Sequence, residues 1–325
     1  MDPLSSVLQL VSARSYLTSG QSSGKTWSLR YPGFAGMKFI AVRKGVIWFR
    51  LEHSSSWHKL NPGDGVIITR EAPFILTTDI TLKPLELGTV PYIKRHGIAD
   101  YGGGETLFLA GKMEIDQEAG HTLFQLLPEI IPVATGSGTS SVLHWLMSRL
   151  HEESQSMRLG SSLAGDHLMQ LVMIEGIRSW ILSEESRIDG WLSALRDPRI
   201  SRALSAMHSE PERNWQLTEL ANVAGMSRAG FARRFGDTTG TTPVRYLAAW
   251  RMHMASKALR LSNEPIKSMA FRLGYGSESS FSTAFRRIYG LPPSSYRDEH
   301  QSKIISSLTP PATSGGQKSA CVDSQ

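Results

Sequence analysis

Residues 215–298 repeat themselves with a period of 50 residues, and this constrains the fold more than any other feature of the chain. Ser227 answers to Ser277, Phe231 to Phe281, Phe235 to Phe285, Pro243 to Pro293 and Tyr246 to Tyr296. Each unit reads as helix, tight turn, helix. In the first, TELANVA runs into Gly225-Met226 and then SRAGFARRF; in the second, IKSMAFRL runs into Gly274-Tyr275-Gly276 and then SESSFSTAFRR. A turn glycine supplies the positive φ that a sharp bend between helices tends to need. The serine that follows suits an N-cap, its oxygen satisfying an orphan amide. Ala221 and Ala270 are small where two helices must approach closely. These are the requirements of a helix-turn-helix, met twice and in register.

Charge singles out the same segment. The formal net charge is +6. Residues 201–300 hold 14 Lys/Arg against 8 Asp/Glu, and the other 225 residues hold 21 of each. Twelve of the fourteen are arginine, the others being Lys257 and Lys267. Arginine suits bidentate contacts with phosphates and guanine edges. A basic bias alone fits a solvated surface as well as it fits nucleic acid. Its coincidence with the doubled motif points to DNA.

A helical wheel separates core from readout. With Phe231 and Phe235 inward, the opposite face carries Ala229 and Arg233, flanked by Ala232 and Gly236. With Phe281 and Phe285 inward, the opposite face carries Ser279 and Thr283, flanked by Ser282 and Arg286. The start of a recognition helix reaches base edges, which adds Arg228 and Glu278 as DNA-binding candidates. Arg233 suits bidentate guanine recognition; Ser279, Ser282 and Thr283 offer smaller contacts. Arg234 and Arg287 read as phosphate contacts. Thr242-Pro243 opens a long helix with Leu247, Trp250, Met254, Ala258 and Leu261 on one face, read as core packing between the units.

The rest of the chain reads differently. Residues 24–90 alternate and are rich in Val, Ile, Phe and Trp, punctuated by Gly, Pro and Asp as in LNPGD at 60–64, the pattern of short antiparallel strands in a sandwich or barrel. TLFLAGKMEI is a further strand. Helical periodicity begins near Ser140, with Val142, Leu143, Leu146, Met147 and Leu150 on one stripe. A second apolar helix is expected over about 166–184, where Glu175 and Arg178 break the hydrophobicity. Asp2-Pro3 and Asp197-Pro198 each read as an N-cap and helix start. No run of about 18 apolar residues exists, so no spanning helix is expected. A secretory signal is not read either, and the cytoplasm is the expected compartment. The fold class is therefore α+β: a barrel domain with a helical dimerisation segment over 1–196, an all-α double helix-turn-helix domain over 197–299, and a Ser/Thr/Pro/Gly-rich tail, expected disordered, over 300–325. The one cysteine, Cys321, lies in that tail, which excludes a disulfide framework and a cysteine-ligated zinc site.

Residues 199–298 resemble the DNA-binding domain of AraC/XylS-family transcriptional regulators. The carriers are NWQLTELANVAGMSRAGFARRFGDTTGTTPVRYLAAWRM and IKSMAFRLGYGSESSFSTAFRRIYGLPPSSYR. The resemblance implies two helix-turn-helix motifs bridged by a helix, gripping one face of double-stranded promoter DNA. It also implies regulation of nearby promoters, usually activation through RNA polymerase. NPGDGVIITREAPFIL, GGGETLFLAGKMEI and LLPEIIPV resemble the cupin-like sensor domain of one branch of that family. This implies a small β-barrel that binds a small-molecule effector, followed by helices that make a homodimer.

Catalysis is weighed separately. Metal-using cupins carry a His-rich set at the barrel mouth. Here His53 and His58 lack His-x-His spacing, and Pro73-Phe74 stands where sequences of this branch often have Pro-His, so neither metal nor cofactor is expected. Trp27, Trp48 and Trp57 fit either an effector pocket or a core. Thiol sensing is not expected, because residues 1–320 hold no cysteine. Gly102-Gly103-Gly104 lacks the GK[ST] of a phosphate loop. The leading reading is a sequence-specific transcriptional regulator without enzymatic activity. The alternatives are a cupin metalloenzyme or a DNA repair enzyme carrying a DNA-binding domain. The helices at 140–185 are expected to pair two copies through Trp145, Ile177, Trp180 and Ile181.

Overall fold

The computed structural model describes residues 1–95, 98–115, 127–133, 140–156, 158–183 and 191–308. They group into two compact units, Met1–Glu210 with Trp215–Leu247, and Pro211–Asn214 with the residues from Ala248 onward.

The first unit opens with helix α1 (Pro3–Leu10), whose cap Asp2 accepts from the Ser5 amide at 3.0 Å. Among the described residues twelve strands follow: β1 (Arg14–Ser23), β2 (Ser28–Tyr31), β3 (Met37–Lys44), β4 (Ile47–Leu51), β5 (His58–Leu60), β6 (Gly65–Ile68), β7 (Phe74–Thr77), β8 (Leu85–Glu86), β9 (Ile93–Arg95), β10 (Ile98–Asp100), β11 (Thr106–Glu114) and β12 (Ile130–Val133). They form a seven-stranded sheet in the order β12-β6-β3-β11-β1-β10-β9 and a five-stranded sheet in the order β5-β4-β7-β2-β8. Pairing is antiparallel except for β1 with β10 and β2 with β8. Alternate residues of both sheets, among them Leu29, Ile40, Val42, Phe49, Leu76 and Phe108, build one apolar core.

Strand β1 is absent from the sequence expectation, which starts the sheet at residue 24. Its sequence, RSYLTSGQSS, carries little apolar signal. It is a strand because β11 and β10 hold it on both edges. Its register with β11 shifts between Leu17 and Ser19, and the Leu17 amide there donates to Asp166 Oδ1 at 3.0 Å.

That aspartate belongs to the second of two long helices, α2 (Ser140–Gln155) and α3 (Ser161–Leu182). Helix α3 packs on β1, β11 and β12. Gly111 makes the close approach feasible: a Cβ there would lie 2.3 Å from the Met169 sulfur. The packing corrects one expectation. Ile177 and Ile181 are only 1% and 3% exposed, already buried within the chain. The apolar residues left in solvent are Val142 and Trp145 on α2 and Leu163, Leu171 and Leu182 on α3. Periodicity finds an apolar stripe but cannot say which partner covers it.

The remaining helices are α4 (Trp191–Ala194), α5 (Pro198–Ser209), α6 (Leu217–Ala224), α7 (Arg228–Thr239), α8 (Pro243–Leu261), α9 (Ile266–Arg272), α10 (Glu278–Tyr289) and α11 (Pro293–Leu308). One core gathers Ile200, Leu204, Met207, Leu220, Phe231 and Phe235; another gathers Leu259, Met269, Leu273, Phe281, Phe285 and Tyr296. Leu247 of α8 joins the former, and Met252, Ala255 and Leu259 join the latter. Leu261, placed on the buried face by the helical wheel, is 65% exposed, because the second core lies against the Met252 side. Helix α11 also runs to Leu308, past residue 300, where the sequence suggests a tail. Gln301 holds it there, its amide donating to the Leu259 carbonyl at 3.2 Å. Cys321 lies outside the described residues.

Candidate nucleic-acid interface and barrel cavity

Each motif is built from local chemistry. Helix α6 starts where the Gln216 amide donates to Glu219 Oε2 at 2.8 Å. It ends at Gly225, whose φ of 67° is the left-handed conformation that glycine adopts freely. The Met226 amide then returns to the Ala221 carbonyl at 2.9 Å, closing the turn. Ser227 caps α7, its hydroxyl accepting from the Gly230 amide at 3.2 Å. The second motif repeats the design. Gly274 has φ 77°, the Tyr275 amide reaches the Ala270 carbonyl at 2.9 Å, and Ser277 Oγ accepts from the Ser280 amide at 3.1 Å. Of the Gly274-Tyr275-Gly276 turn, only Gly274 needs the left-handed conformation.

These caps fix the rotation of each recognition helix. Phe231 and Phe235 are fully buried under α7, and Phe281 and Phe285 under α10. Arg228, Ala229 and Arg233 are exposed on α7, with Ala232 half-buried at the edge of that face. Glu278, Ser279, Thr283 and Arg286 are exposed on α10, with Ser282 half-buried. Each face is therefore assembled as the helical period implies. Among the described residues, the guanidinium groups of Arg228, Arg233, Arg286 and Arg287 make no hydrogen bond or ion pair, so they are free to meet an anion.

Arg234 differs. Its Nε donates to Asp197 Oδ2 at 2.8 Å, so its charge is matched within the protein. Asp197 lies 37 residues upstream, so no helical wheel can show the pair. Arg196 and Arg199 join them around a shallow cleft that also includes Met226. Arg196 donates to the carbonyls of Ile181 and Ser183, closing the end of α3. Arg199 and Arg245 are further exposed cations that periodicity does not single out.

The barrel holds a cavity of about 420 Å³ that opens to solvent. Ile40, Phe74, Leu76 and Phe108 are part of its apolar wall; Gln21, Tyr31, Lys38, Tyr92, Lys94 and Tyr101 are its polar side chains. The Tyr31 hydroxyl donates to Gln21 Oε1, and the Gln21 amide donates to Ser23 Oγ at 2.9 Å. Burial pushes the Tyr31 phenol well above its usual range. None of the three tryptophans is part of the wall. Trp27 donates to Thr106 Oγ1 at 2.9 Å, while Trp48 lies under Lys59 and Trp57 under Arg50 on the outside. The residues do not fit a metal centre. His53 pairs with Glu129 at 3.0 Å, His58 is exposed, and among the described residues no three His, Cys, Asp or Glu side chains gather.

Residues 2–182 match the family described as Cupin, and residues 220–299 match that of a helix-turn-helix domain. The chain is 33% identical to an AraC-like transcription regulator of Streptomyces lividans over 298 residues, 91% of this chain and 98% of that one. The chain belongs to the AraC family of transcriptional regulators. The chain is also similar to RclR of Escherichia coli, an RCS-specific HTH-type transcriptional activator, 29% identical over 92% of this chain and 98% of its own. The AdpA DNA-binding domain, solved in complex with a target DNA, is 31% identical over 33% of this chain and 96% of its own, with a TM-score of 0.31. By its family matches and the named regulators it is similar to, this AraC-family chain is a DNA-binding transcriptional regulator: a cupin domain joined to a helix-turn-helix domain. No helix among its described residues is long and apolar enough to cross a membrane.

Proposed function

We propose that this AraC-family regulator is a cytoplasmic activator controlled by a small molecule held in the barrel cavity, acting as a homodimer on promoter DNA through RNA polymerase. The observation that carries this is the pairing of two features in one chain. One is a set of arginines on capped recognition helices that have no partner among the described residues; the other is a largely apolar, preformed cavity of ligand size. Arg228 and Arg233 on α7 and Glu278, Ser279 and Thr283 on α10 read base edges, with Ala229, Ala232 and Ser282 alongside. Arg286 and Arg287 on α10 hold phosphate. The cavity wall offers no paired acid and base and no metal-ligand set among the described residues, so its role is recognition, with no enzymatic step assigned.

The exposed side chains Val142, Trp145, Leu163, Leu171 and Leu182 are the apolar surface available for a second copy. Self-pairing of one such patch is the commonest closure for soluble oligomers. Footprinting on the DNA upstream of the protein's own gene, with a reporter from that promoter, tests the DNA and activation parts. Light scattering on wild type and on a Trp145→Glu, Leu171→Glu variant tests the dimer. We expect a protected site, reporter expression that rises with the protein, and a dimer that the variant splits. No protected site, reporter expression that falls, or a wild type that stays monomeric at micromolar concentration would overturn the corresponding part.

A further inference from the structure

The barrel cavity holds an unbalanced charge. Two ammonium groups, those of Lys38 on β3 and Lys94 on β9, belong to its wall, and no carboxylate does among the described residues. Lys38 is half-buried and makes no hydrogen bond or ion pair among the described residues. Burying a charge without a partner is unfavourable. Burial, with Lys112 beside it, accordingly pulls the Lys38 ammonium below the usual lysine range. Lys112 sits directly across on β11 and has its own counter-ion, Glu114 at 2.5 Å. Lys38 is left with nothing comparable.

The wall around it favours one kind of occupant. Tyr31 and Phe74 stack at 5.0 Å with 3° between their planes, and Phe108 meets Tyr31 edge-on at 6.4 Å. Ile40 and Leu76 extend this apolar surface. The Tyr31 hydroxyl proton and the Gln21 amide are already engaged with each other and with Ser23. A neutral polyol could use the Tyr92 and Tyr101 hydroxyls but would leave the Lys38 ammonium unmatched. A cation would be repelled by two lysines.

We infer that the cavity takes a small organic anion, an apolar aryl or alkyl body against Tyr31, Phe74 and Phe108 ending in one carboxylate or comparable acidic group paired with Lys38. Lys94 supplies the second positive charge. The inference rests on the reading of the cavity as the effector site and adds to it the chemical class of the effector.

Matched probes test it on the full-length protein. Octanoate and octanamide, and 3-phenylpropanoate and 3-phenylpropanamide, differ only in the charge of the head group. Affinities are read by calorimetry and by the rise in melting temperature. Wild type is expected to bind each carboxylate about ten- to a hundred-fold more tightly than its amide, the range of a charge-assisted hydrogen bond. Lys38→Met should abolish that preference while keeping the amide affinity, and Lys94→Met should reduce it less. The ligand-free Lys38→Met protein should melt no lower than wild type and keep its DNA footprint, because the substitution removes an unmatched charge. Equal binding of acid and amide, or a preference that survives Lys38→Met, overturns the charge assignment and leaves the effector cavity standing. Binding of neither probe of a pair overturns the inference, and the reporter read with and without added small metabolites then judges the effector reading separately.

Discussion

Asp197 Oδ2 accepts from Arg234 Nε at 2.8 Å while Asp197 Oδ1 accepts from the Arg199 amide at 3.0 Å. One carboxylate thus caps α5 and holds a side chain of recognition helix α7. Burial works against its ionisation, but the bonds from Arg234, Arg199 and Ile200 outweigh it and hold the carboxyl below its usual range. The folded-state pKa lies below the unfolded one, so this contribution is present above the unfolded pKa, about 4. It is lost as pH falls through the folded value. Asp197→Ala should cost about 1 kcal/mol for the lost cap. Arg234→Ala should cost less, because it removes only an exposed ion pair. Thermal melts of both variants decide; a larger loss for Arg234→Ala would contradict this account.

The two recognition faces differ in chemistry and should differ in readout. Arg233 is exposed opposite Phe231 and Phe235, so Arg233→Ala should lower specific affinity by about 1–3 kcal/mol and relax the preference at one base pair. Ser279 and Thr283 make only small contacts, and their double replacement by alanine should cost less specificity. Arg286→Ala and Arg287→Ala should each lower the salt slope of binding by about one, with little change in sequence preference. Binding measured over a base-substitution scan checks all four. A second half-site more discriminating than the first would reverse the assignment.

Gly274 is the most constrained turn residue. Its φ is 77°, and a Cβ there would sit 2.2 Å from the Glu212 carbonyl oxygen. Gly274→Ala should therefore cost more than the 1–2 kcal/mol or so of a left-handed residue alone. Gly276 has ordinary backbone geometry and open space around it, so Gly276→Ala should be tolerated. Urea melts that rank the two variants the other way would show the turn to be misread.

Two buried histidines make the fold acid-sensitive above the range where carboxylates titrate. Burial, with the N-terminal ammonium adding to it, lowers His208 to about 3, and burial lowers His253 to about 4. Each shares a hydrogen bond with a tyrosine hydroxyl, Tyr246 at 2.8 Å and Tyr289 at 2.9 Å. Above about pH 6.5 both states are neutral and stability is unaffected. Below it the unfolded chain takes up protons that the fold excludes, so stability falls, by up to about 2 kcal/mol per histidine at pH 5. Urea melts at pH 7 and pH 5 should show this loss, and His208→Gln should remove its share. Equal stability at the two pH values would mean that both histidines titrate normally.

The sequence by itself determined the doubled motif, the caps at Ser227 and Ser277 and the outward faces of α7 and α10. All are local: an N-cap, a turn glycine and a 3.6-residue period act within about a dozen residues, so the chain displays them in order. The strands from β2 to β7 were legible for the same reason, through alternation. What only the tertiary structure decided depends on residues far apart. Polar β1 is a strand because β10 and β11 flank it. Ile177 and Ile181 are buried because α3 is packed between the sheet and α2, which no amphipathic stripe reveals. Arg234 is neutralised because chain folding carries Asp197 to it. Lys38 and Lys94 meet Tyr31 and Phe74 in one cavity only because four strands of two sheets place them there. An unpaired charge in a cavity is defined by what surrounds it, and those surroundings exist only once the sheets have closed.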